Sequence, residues 1–199
     1  MVVAEQGLYN YLVAKGTPGL RDKVTHLTLK KGAQLYGTSQ RYTNIYEIIS
    51  GAVKLGRPSP KGKECVYEIL TANEFFGNLA FLPHEAFDEF SRTLVATEVR
   101  SYDLHFFKHV MTHDPDVAEW FYSKIVSRWN KTESLLFSIR SFEPRKRIEL
   151  MQSALHKKIN TAVNREVFLD KLISNKDMAD LTATTRQLVA ETFKSSLAH

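Results

Sequence analysis

The feature that most restricts this 199-residue chain is an apolar stripe between Val117 and Phe142. Ala118, Phe121, Ile125, Trp129, Thr132, Leu136 and Ile139 follow one another at steps of three and four. That period puts them on one side of an α-helix. Tyr122, Leu135 and Phe142 widen the stripe. Asp114-Pro115 offers a cap and a first-turn proline, and Pro144 ends the run. Such a helix can lie on another part of its own chain or pair with a copy of itself. The period alone leaves both options open.

Before the stripe the pattern is that of strands. "VTHLTLKKGAQLY" reads as strand, Lys-Lys-Gly corner and strand, and "NIYEIISGAVKLGRP" is β-branched and aromatic, broken at Gly51. "SPKGKE" is a turn, and "CVYEILTANEFFG" turns at Ala72-Asn73, where Asn tolerates positive φ. "RTLVATEVRSYDL" reads as one more alternating strand. Strands at roughly ten-residue spacing predict an antiparallel barrel or roll. After the stripe, "RKRIELMQSALHKKIN" predicts a second helix over 145–160, with Ile148, Met151, Leu155 and Ile159 on one side. Residues 161–173 fit a loop followed by a short strand or helical turn. The expected class is α+β in three parts: residues 1–113 an antiparallel roll, 114–143 the long helix, 144–199 a helical domain.

Composition narrows the chemistry. The one cysteine, Cys65, excludes an internal disulfide, a Cys-based zinc site and a four-Cys iron–sulfur cluster, and fits a reducing compartment such as the cytoplasm. The N-terminus lacks the basic-then-apolar pattern of a signal peptide, and no apolar run reaches the ~18 residues of a membrane span. Residues 144–199 hold 10 Lys and Arg against 6 Asp and Glu, whereas the rest holds 17 against 16. The net charge of +5 therefore gathers in the last quarter of the chain, a modest footprint for a polyanion. None of the seven histidines stands in a His-x-His pattern with a following Glu, so an enzyme on a cupin-type roll is not expected. His105, His109 and His113 share a helical side, but no acidic or Cys ligand is fixed beside them, so they read as surface or packing residues and no metal is expected.

The last stretch, "SNKDMADLTATTRQLVAETFKSS" (174–196), predicts two short helices with a tight corner. Ser174 with Asp177 has capping-box spacing, and Thr184 with Gln187 repeats it. Met178, Leu181, Leu188, Val189 and Phe193 form the apolar sides. Ala179, Ala183 and Val189 stand at the first, fifth and eleventh places of a helix-turn-helix frame, in which the second helix enters the major groove. An αα-hairpin in an ordinary bundle has the same local pattern.

The order of these parts resembles the CRP/FNR family of bacterial transcription regulators. The roll landmarks are "LKKGAQLY", "IYEIISGAVKL", "GKECVYEILTANEFFGNLAF" and "VATEVRSYDLHFFKHVM"; "RKRIELMQSAL" and "ISNKDMADLTATTRQLVAETFKSS" resemble the DNA-binding half. The resemblance implies a cyclic-nucleotide-binding-like roll and a homodimer joined along the long helix through Phe121, Ile125, Trp129, Thr132, Leu136 and Ile139. It implies double-stranded DNA as a partner, RNA polymerase as a further candidate partner, and no membrane. The base readers map to Arg186, Gln187 and Glu191, with Thr184, Thr185 and Lys194 as phosphate contacts. The effector pocket maps to Gly77, Asn78, Leu79, Ala80, Arg92 and Thr93.

The chain departs from the family pattern in four places. Asn78 replaces the Glu that accepts from the ribose, and Glu89 falls where the phosphate-pairing Arg belongs, with Arg92 as the one nearby rescue. A carboxylate beside a phosphate is repulsive, so cyclic AMP is not expected to bind in the usual way. The effector stays open: another small molecule, haem, or nothing. Glu191 stands where Arg is common, which changes base preference. Only eight residues follow Glu191, so the usual two-stranded wing is expected to be missing. The alternative reading is a sensor or interaction module whose DNA binding has degenerated.

Overall fold

Two antiparallel sheets face each other across an aromatic core in this computed structural model, which describes residues 2–38, 44–79 and 87–196. Three short helices lead in: α1 (Val2–Gln6), α2 (Leu8–Ala14) and α3 (Leu20–Lys23). The strands are β1 (Val24–Leu29), β2 (Ile45–Ser50), β3 (Ala52–Pro58), β4 (Glu64–Thr71), β5 (Phe75–Phe76), β6 (Phe90–Thr93) and β7 (Thr97–Tyr102). One sheet has the order β1-β7-β2-β5, the other β4-β3-β6. Tyr36, Tyr46, Ile48, Val53, Leu55, Leu70, Phe76 and Val99 fill the space between them.

Local chemistry sets the corners. Gly51 joins β2 to β3 at φ +93°, and a Cβ there would come within 2.7 Å of the Thr97 Cα, so only glycine fits. Asn73 takes φ +66° at its corner, as its short polar side chain allows. Two expectations fail here. Gln34 makes only an isolated bridge to Arg92, because Thr93 ties the Lys30–Ala33 turn instead of a paired strand. "RTLVATEVRSYDL" is two strands: the chain crosses between sheets after Thr93, so β6 pairs with β3 and β7 with β1 and β2.

Helix α4 (Leu104–His113) is capped by Asp103 and runs into α5 (Pro115–Ser141). Asp114 caps α5 by accepting from the Asp116 and Val117 N–H groups at 3.1 and 3.4 Å. The first turns of α5 bury Val117, Trp120 and Phe121 against α1, α2 and the roll, with Phe75 edge-on to Trp120 at 5.1 Å. Beyond Phe121 the helix leaves the core. Tyr122, Ile125, Val126, Trp129, Leu136 and Phe137 are then exposed. This corrects the expected dimerisation stripe at two places. Phe121 is consumed by the roll and Ile139 is half-buried; the free apolar line is rotated toward Tyr122, Val126 and Phe137.

After Pro144 come α6 (Pro144–Leu155), a hairpin of β8 (Lys158–Asn160) and β9 (Glu166–Phe168), a 3-10 turn (Leu169–Leu172), α7 (Asn175–Leu181) and α8 (Arg186–Ser196). Helix α6 is shorter than expected: Ile159 belongs to the hairpin, and it packs from there on the same core as Leu155. That core is shared between the two halves of the chain. Ala52, Val66, Phe90 and Leu94 of the roll pack with Ile148, Leu169, Met178 and Val189.

Candidate nucleic-acid interface

The corner between α7 and α8 is built from small polar residues. Ser174 Oγ accepts from the Asp177 N–H at 3.1 Å, as capping-box spacing implies. Ala183 takes φ +49° at the corner, and Ala179 is the small residue buried on the first helix. This shifts the expected frame, because Ala183 lies past the end of that helix. The second cap also moves by one residue. Thr185 Oγ1 accepts from the Leu188 N–H at 3.2 Å, while the Thr184 hydroxyl is shared with Thr182 at 3.0 Å and is half-buried. Gln187 does not close a cap; its Nε2 donates to Glu191 Oε1 at 2.9 Å.

Helix α8 has two distinct sides. Val189 and Thr192 are buried, and Arg186, Gln187, Glu191 and Lys194 are exposed on the other side. The structure therefore brings four of the six expected DNA-contact residues onto one free face, with Thr185 at its start. Sequence reasoning missed Arg145, in the first turn of α6, which lies 3.9 Å from the Glu191 carboxyl. Its only sequence signal is the basic run 145–147 at a helix start.

The roll's interior differs from the expected pocket. Glu89 is buried and accepts from the hydroxyls of both Tyr36 and Tyr67. Burial first, and then the neighbouring Glu89, push both phenols far above the ordinary tyrosine range, so they stay protonated donors. Glu68 on β4 pairs with Arg128 of α5. Burial raises the Glu68 carboxyl despite Arg128, whereas Glu68 raises Arg128 against the effect of burial.

Of the expected pocket residues, Gly77, Asn78 and Leu79 are half-buried. Ala80 lies outside the described residues. Thr93 is buried and its hydroxyl is used by the Lys30 carbonyl at 2.6 Å. Arg92 pairs across the sheet with Lys54, so both side chains share the outer face, and it reaches Glu64 at 2.8 Å. It cannot substitute for an interior phosphate partner. His105, His109 and His113 are exposed on α4, with His109 stacked on His113 at 4.2 Å. Among the described residues no group of three His, Cys, Asp or Glu could hold a metal ion, and no helix is long and apolar enough to cross a membrane.

Residues 26–114, which span the two facing sheets and α4, match the cyclic nucleotide-binding domain family. The roll is thus similar to a cyclic nucleotide-binding domain, over less than half of the chain. The homologues of the whole chain are CRP/FNR-type transcriptional regulators rather than enzymes. A CRP-like cAMP-activated global transcriptional regulator of Mycobacterium tuberculosis is 22% identical over 193 residues, covering 94% of this chain and 84% of the relative. Among solved structures, FixK2 from Bradyrhizobium japonicum superposes with a TM-score of 0.70 at 13% identity, over 88% of this chain and 85% of that one. A protein from Eubacterium rectale described as a CRP/FNR-family regulator gives 0.69 at 13% identity, over 96% and 88%. At these identities the structural likeness speaks for the fold alone. The chain keeps that fold while filling the roll with its own buried carboxyl.

Proposed function

We propose that this chain is a homodimeric, DNA-binding transcription regulator, joined along the free stripe of α5 and acting in the cytoplasm. The exposed face of α8 carries the reading: Arg186, Gln187, Glu191 and Lys194 point away from the subunit while Val189 anchors the helix from behind. Arg186 suits a bidentate contact with guanine, and Lys194 and Thr185 suit phosphates. Arg145 extends the basic side of the same surface. The dimer would use Tyr122, Ile125, Val126, Trp129 and Leu136, which lie on one side of α5 without cover in a single chain. Contact with RNA polymerase belongs to the same reading. The roll would not take cyclic AMP in the usual manner, since Glu89 occupies its interior. Binding of the purified chain to a pool of genomic fragments at two salt concentrations tests the proposal. A regulator retains a selected subset at the higher salt, with a shared motif near-palindromic about a two-fold axis. Loss of all fragments alike at higher salt would leave only a sensor or interaction module.

A further inference from the structure

Strand β4 is the edge of its sheet, so among the described residues one side of its backbone has no strand partner. Helix α7 takes that side. Asp180 accepts from the Val66 N–H at 3.0 Å, and Lys176 donates to the Glu64 carbonyl at 2.6 Å and to Asp180 at 2.9 Å. The next two residues of β4 face elsewhere. Tyr67 donates to the buried Glu89, and Glu68 pairs with Arg128 of α5.

In a regular strand neighbouring side chains point to opposite faces, so Tyr67 and Glu68 could not both turn inward. A bulge permits it. Leu55 pairs with Glu68 and Gly56 with Val66, which leaves Tyr67 as the extra residue. Val66 accordingly packs outward with the helical pair, while Tyr67 joins the core between the sheets. Five consecutive residues thus grip the helical pair, the roll's interior and the long helix.

We propose that residues 64–68 of β4 are the relay through which a change at the Glu89 cluster resets the seating of α7. Moving Tyr67 off Glu89 turns the bulge, and the Val66 N–H that holds Asp180 belongs to the adjoining stretch of backbone. The seating keeps the reading face of α8 outward, so unseating α7 weakens DNA binding; this last step alone rests on the regulator reading.

Hydrogen exchange of the full chain tests the relay without DNA. In Tyr67→Phe the amides of α7 exchange about tenfold faster, the equivalent of roughly one lost hydrogen bond at the seat, while those of β7 keep their rates. Tyr36→Phe, which removes the other hydroxyl from Glu89 but lies off β4, leaves α7 unchanged. Unchanged α7 exchange in Tyr67→Phe, or equal acceleration in both variants, overturns the relay. Should Tyr67→Phe loosen β7 as well, Glu68→Gln perturbs the same bulge from the α5 side and must accelerate α7. Fragment binding is then read on the same samples. Weaker binding by Tyr67→Phe supports the last step, and unchanged or tighter binding refutes it. A wild-type chain that binds no DNA removes the regulator reading, while the exchange rates still decide the relay.

Discussion

Lys54 and Asp177 come from opposite halves of the chain, and their pairing should decide how firmly the helical pair sits on the roll. Lys54 Nζ lies 2.9 and 3.0 Å from the two carboxylate oxygens, and the side chains are only 15% and 4% exposed. Lys54→Met keeps the aliphatic stem and removes the charge, leaving the Asp177 carboxylate buried without its cation. Breaking a buried pair in this one-sided way costs about 3–5 kcal/mol. The remaining access of Lys54 to water puts the expected loss at the lower end, about 3 kcal/mol. For a chain of this size that is a fall in Tm of roughly 6–12 °C. Lys158→Met is the internal control: Lys158 and Glu166 are 57% and 54% exposed, and an exposed pair contributes under about 1 kcal/mol. Urea unfolding of Lys54→Met, of Asp177→Asn and of the variant that combines them closes a double-mutant cycle. The double variant should recover much of the loss, because the stranded carboxylate is gone. If Lys54→Met behaves like Lys158→Met, or if the two substitutions simply add, the pair does not hold the halves together, and the shared core and the Asp180 and Lys176 contacts to β4 do.

Arg186→Ala should cost about 1–3 kcal/mol of DNA affinity and relax one base position, while Lys194→Ala should weaken all sites alike and lower the salt slope by about one; equal losses on every sequence for both variants would refute the assignment. Trp129→Asp should shift sedimentation toward the monomer and leave the fold intact, since the Trp129 side chain is 63% exposed in the single chain; an unchanged dimer would move the interface elsewhere. Asp114 is held below the ordinary aspartate value: burial works to raise it, but the Lys15 hydrogen bond, the Val117 N–H and the Lys15 charge outweigh burial. The folded value is the lower one, so the stability this adds is complete above the ordinary value near 4 and is lost as pH falls through the folded value. Asp114→Asn, which keeps a capping side chain, should therefore be less stable than the wild type at pH 6, and the gap in urea midpoints should narrow as pH falls below the ordinary aspartate value; a gap that does not narrow would place its contribution in the cap geometry.

The elements of the fold were legible where one local rule acts alone. The 3.6-residue period and the Asp114-Pro115 pair marked α5 within a residue at its start, and capping-box spacing marked the start of α7. Tertiary demands decided the rest. One alternating run was cut into β6 and β7 because the chain changes sheets, and nothing in the alternation marks such a crossing. Which side of α5 would be covered depended on where α1 and α2 lie, and Phe121 went to them. Four of the expected DNA-contact residues share one exposed face of α8 because a single helix fixes them. The Lys54–Asp177 pair and the Tyr36–Glu89–Tyr67 cluster join residues 22 to 123 positions apart, Tyr67 by way of a bulge, and no spacing rule announces either.

The same cluster bears on what the roll can accept. A cyclic phosphate seated in the interior would bring its anion toward Glu89, whose two oxygens are already taken by Tyr36 and Tyr67. With both groups charged at ~4 Å and an effective dielectric of ~20, the repulsion is about 4 kcal/mol, close to a thousandfold in affinity. Arg92 offers no relief, because it shares the outer face with Lys54 and is engaged by Glu64. Arg128 of α5 is already paired with Glu68. Calorimetry should therefore show no cyclic AMP binding in the micromolar range for the wild-type chain. Glu89→Gln removes the repulsion and keeps acceptor and volume, so any latent affinity should surface in that variant first. Micromolar binding by the wild type would mean that the Glu89 cluster opens at little cost, and that the carboxyl is no barrier to a nucleotide.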